Sequence, residues 1–151
     1  MRQLWQLALT DGGTFVRRAL LVQAMLHLTF GFAGLIANPD FATGDEATAV
    51  QVLGVDFNGW HALGGFLLWG PALIAWRRTD WTLWYSLAVI VTGLVPAVWM
   101  LYDTSPLGLL VFPNTDTDLI YHVIGAAVLA ATTAIHVARV RRHDEAALAS
   151  G

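Results

Sequence analysis

The sequence predicts an all-α polytopic membrane protein: four transmembrane helices in an up-down-up-down bundle, with both termini cytoplasmic. Three observations carry this expectation. Hydrophobic residues make up 56% of the 151 residues and charged residues 13%, against about 25% charged residues in an ordinary soluble domain. Four runs, 19–39, 57–76, 81–102 and 119–138, contain no formal charge. Each has about the 20 residues that a helix rising about 1.5 Å per residue needs to cross a hydrocarbon core of roughly 30 Å. All eight basic residues lie outside those runs and on one set of connections.

In chain order, residues 1–15 form a cytoplasmic N-terminal segment whose apolar pattern, Leu4, Trp5, Leu7 and Ala8, suits an interfacial helix ending at Asp11-Gly12-Gly13. Residues 16–138 hold the four spans, and residues 139–151 are read as a basic, then flexible, cytoplasmic tail. The arginines set the orientation. Arg2, Arg17, Arg18, Arg77, Arg78, Arg139, Arg141 and Arg142 flank one face, whereas the connections 40–56 and 103–118 hold none of them and carry Asp40, Asp45, Glu46, Asp56, Asp103, Asp116 and Asp118. The positive-inside rule places the arginines in the cytoplasm and the acidic connections outside. The expected location is therefore the cytoplasmic (inner) membrane, multi-pass. Trp60, Trp76, Trp81, Trp84, Tyr102 and Tyr121 fall near span ends, where amphipathic rings prefer to sit.

In the first acidic connection, residues 45–53 read as a short helix closed by Gly54. In the second, residues 107–112 form an apolar run between Pro106 and Pro113 that dips into the interface. Asn58 is positioned to cap the second span, and Thr115 and Asp118 stand at capping-box spacing before the fourth. Pro71 and Pro96 lie inside spans two and three, where each removes a backbone hydrogen bond and bends its helix.

Lipid tails give helices no hydrophobic reason to associate, so contacts are expected at small residues and polar groups. The packing faces read from the spacing are Gln23, His27, Gly31 and Gly34 in span one, and His61, Gly64 and Gly65 in span two. Span three offers Ser86, Gly93 and Ala97; span four offers His122, Gly125, Ala126 and Ala130.

Ionisable residues inside a membrane are rare enough to be functional candidates by default. His27 lies midway along span one and reads either as a cofactor ligand or as a neutral residue bonding across helices to Gln23, Ser86 or Thr92. His61 and His122 lie near the outer ends of spans two and four, at similar depth. With His27 they are the candidate ligands of a haem b. With Asp56 and Asp118 they are the candidate ligands of a divalent metal. The bland alternative makes all of them helix-packing residues, with no cofactor. The absence of cysteine excludes thiolate chemistry and disulfides. No phosphate loop, nucleophile elbow or buried carboxylate pair is present, which leaves hydrolysis and phosphoryl transfer without apparatus. Nothing points to nucleic acid.

The segments HLTFGFAGL, LGVDFNGWHALGG and PNTDTDLIYHVIGAA resemble those of an uncharacterised family of small four-span bacterial membrane proteins, common in actinobacteria and classed as a domain of unknown function. The likeness covers about residues 16–138, with Asn58, His61, Asp118 and His122 at the matching positions. Many members of that family have a second histidine where this chain has Gly65. The resemblance implies a fold and a location, and no activity. The function expected from the sequence is that of a non-enzymatic accessory or scaffolding protein, embedded in the lipid bilayer and joining a homo-oligomer or a larger membrane complex. A histidine-based haem or metal protein is the first alternative and a small lipophile-binding module the second.

Overall fold

The computed structural model describes residues 13–103, 111–113 and 115–149. The expected interfacial helix within residues 1–15 and most of the apolar run at 107–112 lie outside the described residues. The protein is mainly helical: α1 (Thr14–Ala37), α2 (Gly59–Trp69), α3 (Ala72–Ala75), α4 (Thr79–Trp99) and α5 (Asp116–Ala149). Among the described residues three helices, α1, α4 and α5, are long and apolar enough to cross a membrane.

The second charge-free run is not one helix. Pro71 has no amide hydrogen to return to the preceding turn, and the chain breaks at Gly70-Pro71 into α2 and α3. α4 stitches the break from outside: Tyr85 Oη donates to the Leu68 carbonyl at 2.6 Å and Thr82 Oγ1 to the Ala75 carbonyl at 3.1 Å. Pro96, by contrast, is carried inside α4, which runs on to Trp99.

The helix expected at 45–53 is absent. In its place a single 3-10 turn, Gly44–Glu46, leads into an antiparallel hairpin of β1 (Val50–Val52) and β2 (Val55–Phe57). Leu53 and Gly54 both have positive φ, 50° and 86°, as a two-residue turn following the strand twist requires. Gly54 therefore turns a hairpin rather than ending a helix. The residues after the fourth run also differ from expectation, because α5 continues through the arginine cluster to Ala149, 34 residues in all.

Two apolar clusters organise the interior. One joins Leu20, Ala24, Trp69, Ala72, Val89 and Leu129; the other joins Val55, Phe57 and Ala62, with Phe30 and Phe66 packed against them. Glycines let these elements approach. A Cβ on Gly34 would overlap the Phe57 ring, and one on Gly31 would lie 3.3 Å from Phe66. In α4 the buried stripe Thr82, Ser86, Val89, Gly93 and Ala97 agrees with the face read from the sequence. In α5 the agreement is partial: Gly125 is buried as expected, with Asp118, Leu129 and Thr132, and His122 and Ala126 are half-buried, but Ala130 is exposed. The alanine stripe is the outer face of α5.

At one end of the protein Arg17 Nη1 donates to the Arg77 carbonyl at 3.0 Å, and Gly13 sits against Thr79 and His136. At the other end the hairpin, Asn38 and Asn58 are tied together. Asn38 Nδ2 donates to the Phe57 carbonyl at 3.1 Å, and Thr115 Oγ1 donates to the Gly54 carbonyl at 3.0 Å.

Candidate functional site

The polar residues of α1, α2 and α5 converge on one cavity of about 990 Å³, walled mainly by apolar side chains. Local capping places His61. Asn58 Oδ1 accepts the His61 amide at 2.9 Å and starts α2, and His61 Nδ1 then donates to the Asp56 carbonyl at 2.9 Å. Phe57 stacks on the imidazole, centroids 4.5 Å apart. The backbone of Asp56, not its carboxylate, is what reaches the site; the carboxylate lies on the hairpin and accepts from Gln51 across the strands at 3.4 Å.

A second cap places Asp118. Thr115 Oγ1 accepts the Asp118 amide at 3.2 Å. The Asp118 side chain does not close a reciprocal capping box but turns inward, 4% exposed. Its Oδ2 lies 3.7 Å from His61 Nε2 and its Oδ1 3.7 Å from His122 Nε2. Oδ2 is buried and has no hydrogen-bond partner. The two histidines that the sequence placed at matching depth therefore meet through one carboxylate. Among the described residues, no group of three or more histidine, aspartate or glutamate side chains is placed to hold a metal ion.

His27 occupies the inner wall. Its Nδ1 donates to the Gln23 carbonyl one turn back at 2.8 Å, and its ring stacks on Trp69, centroids 4.0 Å apart and 17° from parallel. The bonds across helices expected from Ser86 and Thr92 are not made. Ser86 Oγ is buried without a partner, and Thr92 Oγ1 donates to the Ala88 carbonyl in its own helix. Gly125 and Gly93 provide the room for the histidines: a Cβ on Gly125 would lie 3.5 Å from His27 Cε1, and one on Gly93 3.5 Å from His122 Nδ1.

No family model, curated protein or solved structure matches this chain.

The rest of the cavity comes from residues that the sequence did not mark as ligand-site candidates. Trp69, Tyr85, Met100 and Phe112 line it, together with Leu67, Ala88, Thr92 and Pro96. The last four are exposed, so the cavity reaches the outside of the helical body between α2 and α4. Gly64 faces Phe112, whereas a Cβ on Gly65 would meet nothing within 4 Å. Gly65 is thus a wall of the cavity and not a helix-packing position. Aromatic residues in a run read as a span gave no signal that could separate a cavity wall from a lipid-facing anchor. Only the prolines inside spans two and three, Pro71 and Pro96, hinted at open space.

Proposed function

We propose that this chain is a four-span protein of the cytoplasmic membrane, its termini and arginines on the cytoplasmic side, that binds a small lipophile in the cavity between α2 and α4. The observation that carries the reading is the cavity itself. At about 990 Å³ it lies at the upper end of ordinary ligand pockets, about 300–1,000 Å³, and has their composition of apolar walls with a few convergent polar groups. Its opening lies among exposed apolar residues, where lipid tails would stand. Water-soluble ligands would have to cross that surface, whereas a lipophile partitions into it.

The test is extraction of the protein, purified in mild detergent, with organic solvent and identification of what is released. Gly65→Leu is the control, because a Cβ there meets no other atom within 4 Å and the rest of the side chain takes up cavity space. A compound enriched in the native protein and depleted in Gly65→Leu supports the reading; equal lipid content in both overturns it. An absorption band in the visible would return the haem alternative, with His27, His61 and His122 as the next targets. The topology is tested separately, since the chain has no cysteine. An impermeant maleimide should label Glu46→Cys on intact cells and His143→Cys only after lysis.

An accessory, self-associating role is the second reading. It is supported by the alanines that α5 turns outward, Ala127, Ala130, Ala131 and Ala134, since small residues let membrane helices approach closely. Ala130→Leu should then reduce the oligomer size in detergent.

A further inference from the structure

We infer that the cavity's occupant carries an uncharged hydrogen-bond donor at its polar end, a hydroxyl on an apolar body; this rests on the cavity being a ligand site. The polar wall offers acceptors. A backbone carbonyl can only accept, so the 2.8 Å contact from His27 to the Gln23 carbonyl puts the hydrogen on Nδ1. The neutral imidazole then presents Nε2 as a bare lone pair. The stack on Trp69 holds the ring in that orientation. Asp118 adds a second acceptor, its buried Oδ2 unpartnered beside His61. A buried acceptor without a donor keeps its desolvation penalty uncompensated, and a ligand hydroxyl removes that penalty.

The cavity's own hydroxyls do not compete for this role. Tyr85 Oη donates to the Leu68 carbonyl and Thr92 Oγ1 to the Ala88 carbonyl. Among the described residues the lining contains no arginine or lysine, so a phosphate or carboxylate headgroup would meet the Asp118 carboxylate with only histidines to offset the charge. Ketone and ether heads bring only acceptors; the Gln23 amide or a histidine N–H could serve them, but His27 Nε2 and Asp118 Oδ2 would stay without a donor. Among lipophiles these conditions select alcohols and phenols.

The experiment measures binding of three probes to the purified full chain in nanodiscs by equilibrium dialysis: 4-decylphenol, its methyl ether and decanoate. The phenol should bind about tenfold or more tightly than the ether, the factor carried by one hydrogen bond of about 1.4 kcal/mol. Decanoate should bind more weakly than the phenol. His27→Phe keeps a ring against Trp69 and removes the acceptor, and Asp118→Asn removes the charge; each should shrink the phenol-to-ether ratio. Equal binding of phenol and ether, both lost in Gly65→Leu, would overturn the donor inference and leave the cavity reading standing. Tightest binding by decanoate would overturn it as well. Binding of no probe, or binding unaffected by Gly65→Leu, would overturn the cavity reading and the inference together.

Discussion

Replacing Asn58 with alanine should destabilise the protein more than any other single change at its hairpin end. Asn58 is fully buried and uses both ends of its side chain. Oδ1 accepts the His61 amide at 2.9 Å, and Nδ2 donates to the Val111 carbonyl at 2.7 Å. Loss of a helix cap costs about 1 kcal/mol. Loss of the second bond leaves the Val111 carbonyl unsatisfied, at about 1–3 kcal/mol. The two losses concern different partners and sum to about 2–4 kcal/mol. The assay is reversible unfolding in mixed micelles titrated with SDS, read by far-UV circular dichroism. Asn58→Ser separates the two contributions, because serine can cap the helix but is too short to reach Val111. Its loss should fall below that of alanine by about the capping energy. Destabilisation of Asn58→Ala by less than about 0.5 kcal/mol would show that water or the loop replaces both bonds. It would refute the idea that this residue locks the second acidic connection onto α2.

Four further outcomes follow from individual contacts. Gly34→Ala drives a Cβ into the Phe57 ring and should destabilise by about 1–3 kcal/mol, whereas Gly65→Ala meets open space and should be neutral or stabilising by up to about 1 kcal/mol; the same SDS titration compares them. Tyr85→Phe removes the donor to the Leu68 carbonyl beside the Gly70-Pro71 break and should cost about 1–2 kcal/mol, with faster amide exchange confined to α2 and α3. Asp40 accepts from the Thr48 hydroxyl and amide, both at 2.6 Å, and from the Ala42 amide at 2.8 Å, and these bonds, the hydroxyl first, hold its carboxyl below the ordinary 3.8. A carboxylate with a depressed native pKa stabilises fully above its unfolded value and loses that contribution as pH falls through the native one. The protection factors of the Ala42 and Thr48 amides, corrected for intrinsic exchange, should therefore fall only below about pH 4, and Asp40→Asn should abolish that dependence.

What was legible in the sequence is what is decided locally or by composition. Asn58 and Thr115 could be read as caps because a cap and the amide it satisfies lie within three residues of each other. The α4 stripe was legible because Ser86, Gly93 and Ala97 are small or polar residues that fall on one face. The α5 face was legible only in part. In lipid both faces of a helix are apolar, so beyond Gly125 periodicity cannot separate Leu129 and Thr132 from the alanines beside them. The hairpin was missed because three-residue strands are shorter than the windows in which alternation is distinguishable from a helical pattern. Asp118 was named as a ligand candidate beside His61 and His122, yet its inward turn depends on residues far away in the chain.

The bonds between elements suggest why a hollow centre is tolerated. Arg17 to Arg77, Tyr85 to Leu68, Asn38 to Phe57, Asn58 to Val111 and Thr115 to Gly54 are all side-chain donors on backbone carbonyls. All but the Tyr85 bond lie towards the two ends of the helical body. In a solvent that gives helices no hydrophobic reason to associate, such bonds and close glycine contacts carry the association. The middle, where His27 and Gly65 face the cavity, is then free of that duty. Substitutions at the ends should lower stability with little effect on what is bound, and substitutions in the middle should do the reverse. A His27→Phe variant as unstable as Asn58→Ala would break that division of labour, and with it the reading of the cavity as a site rather than a packing fault.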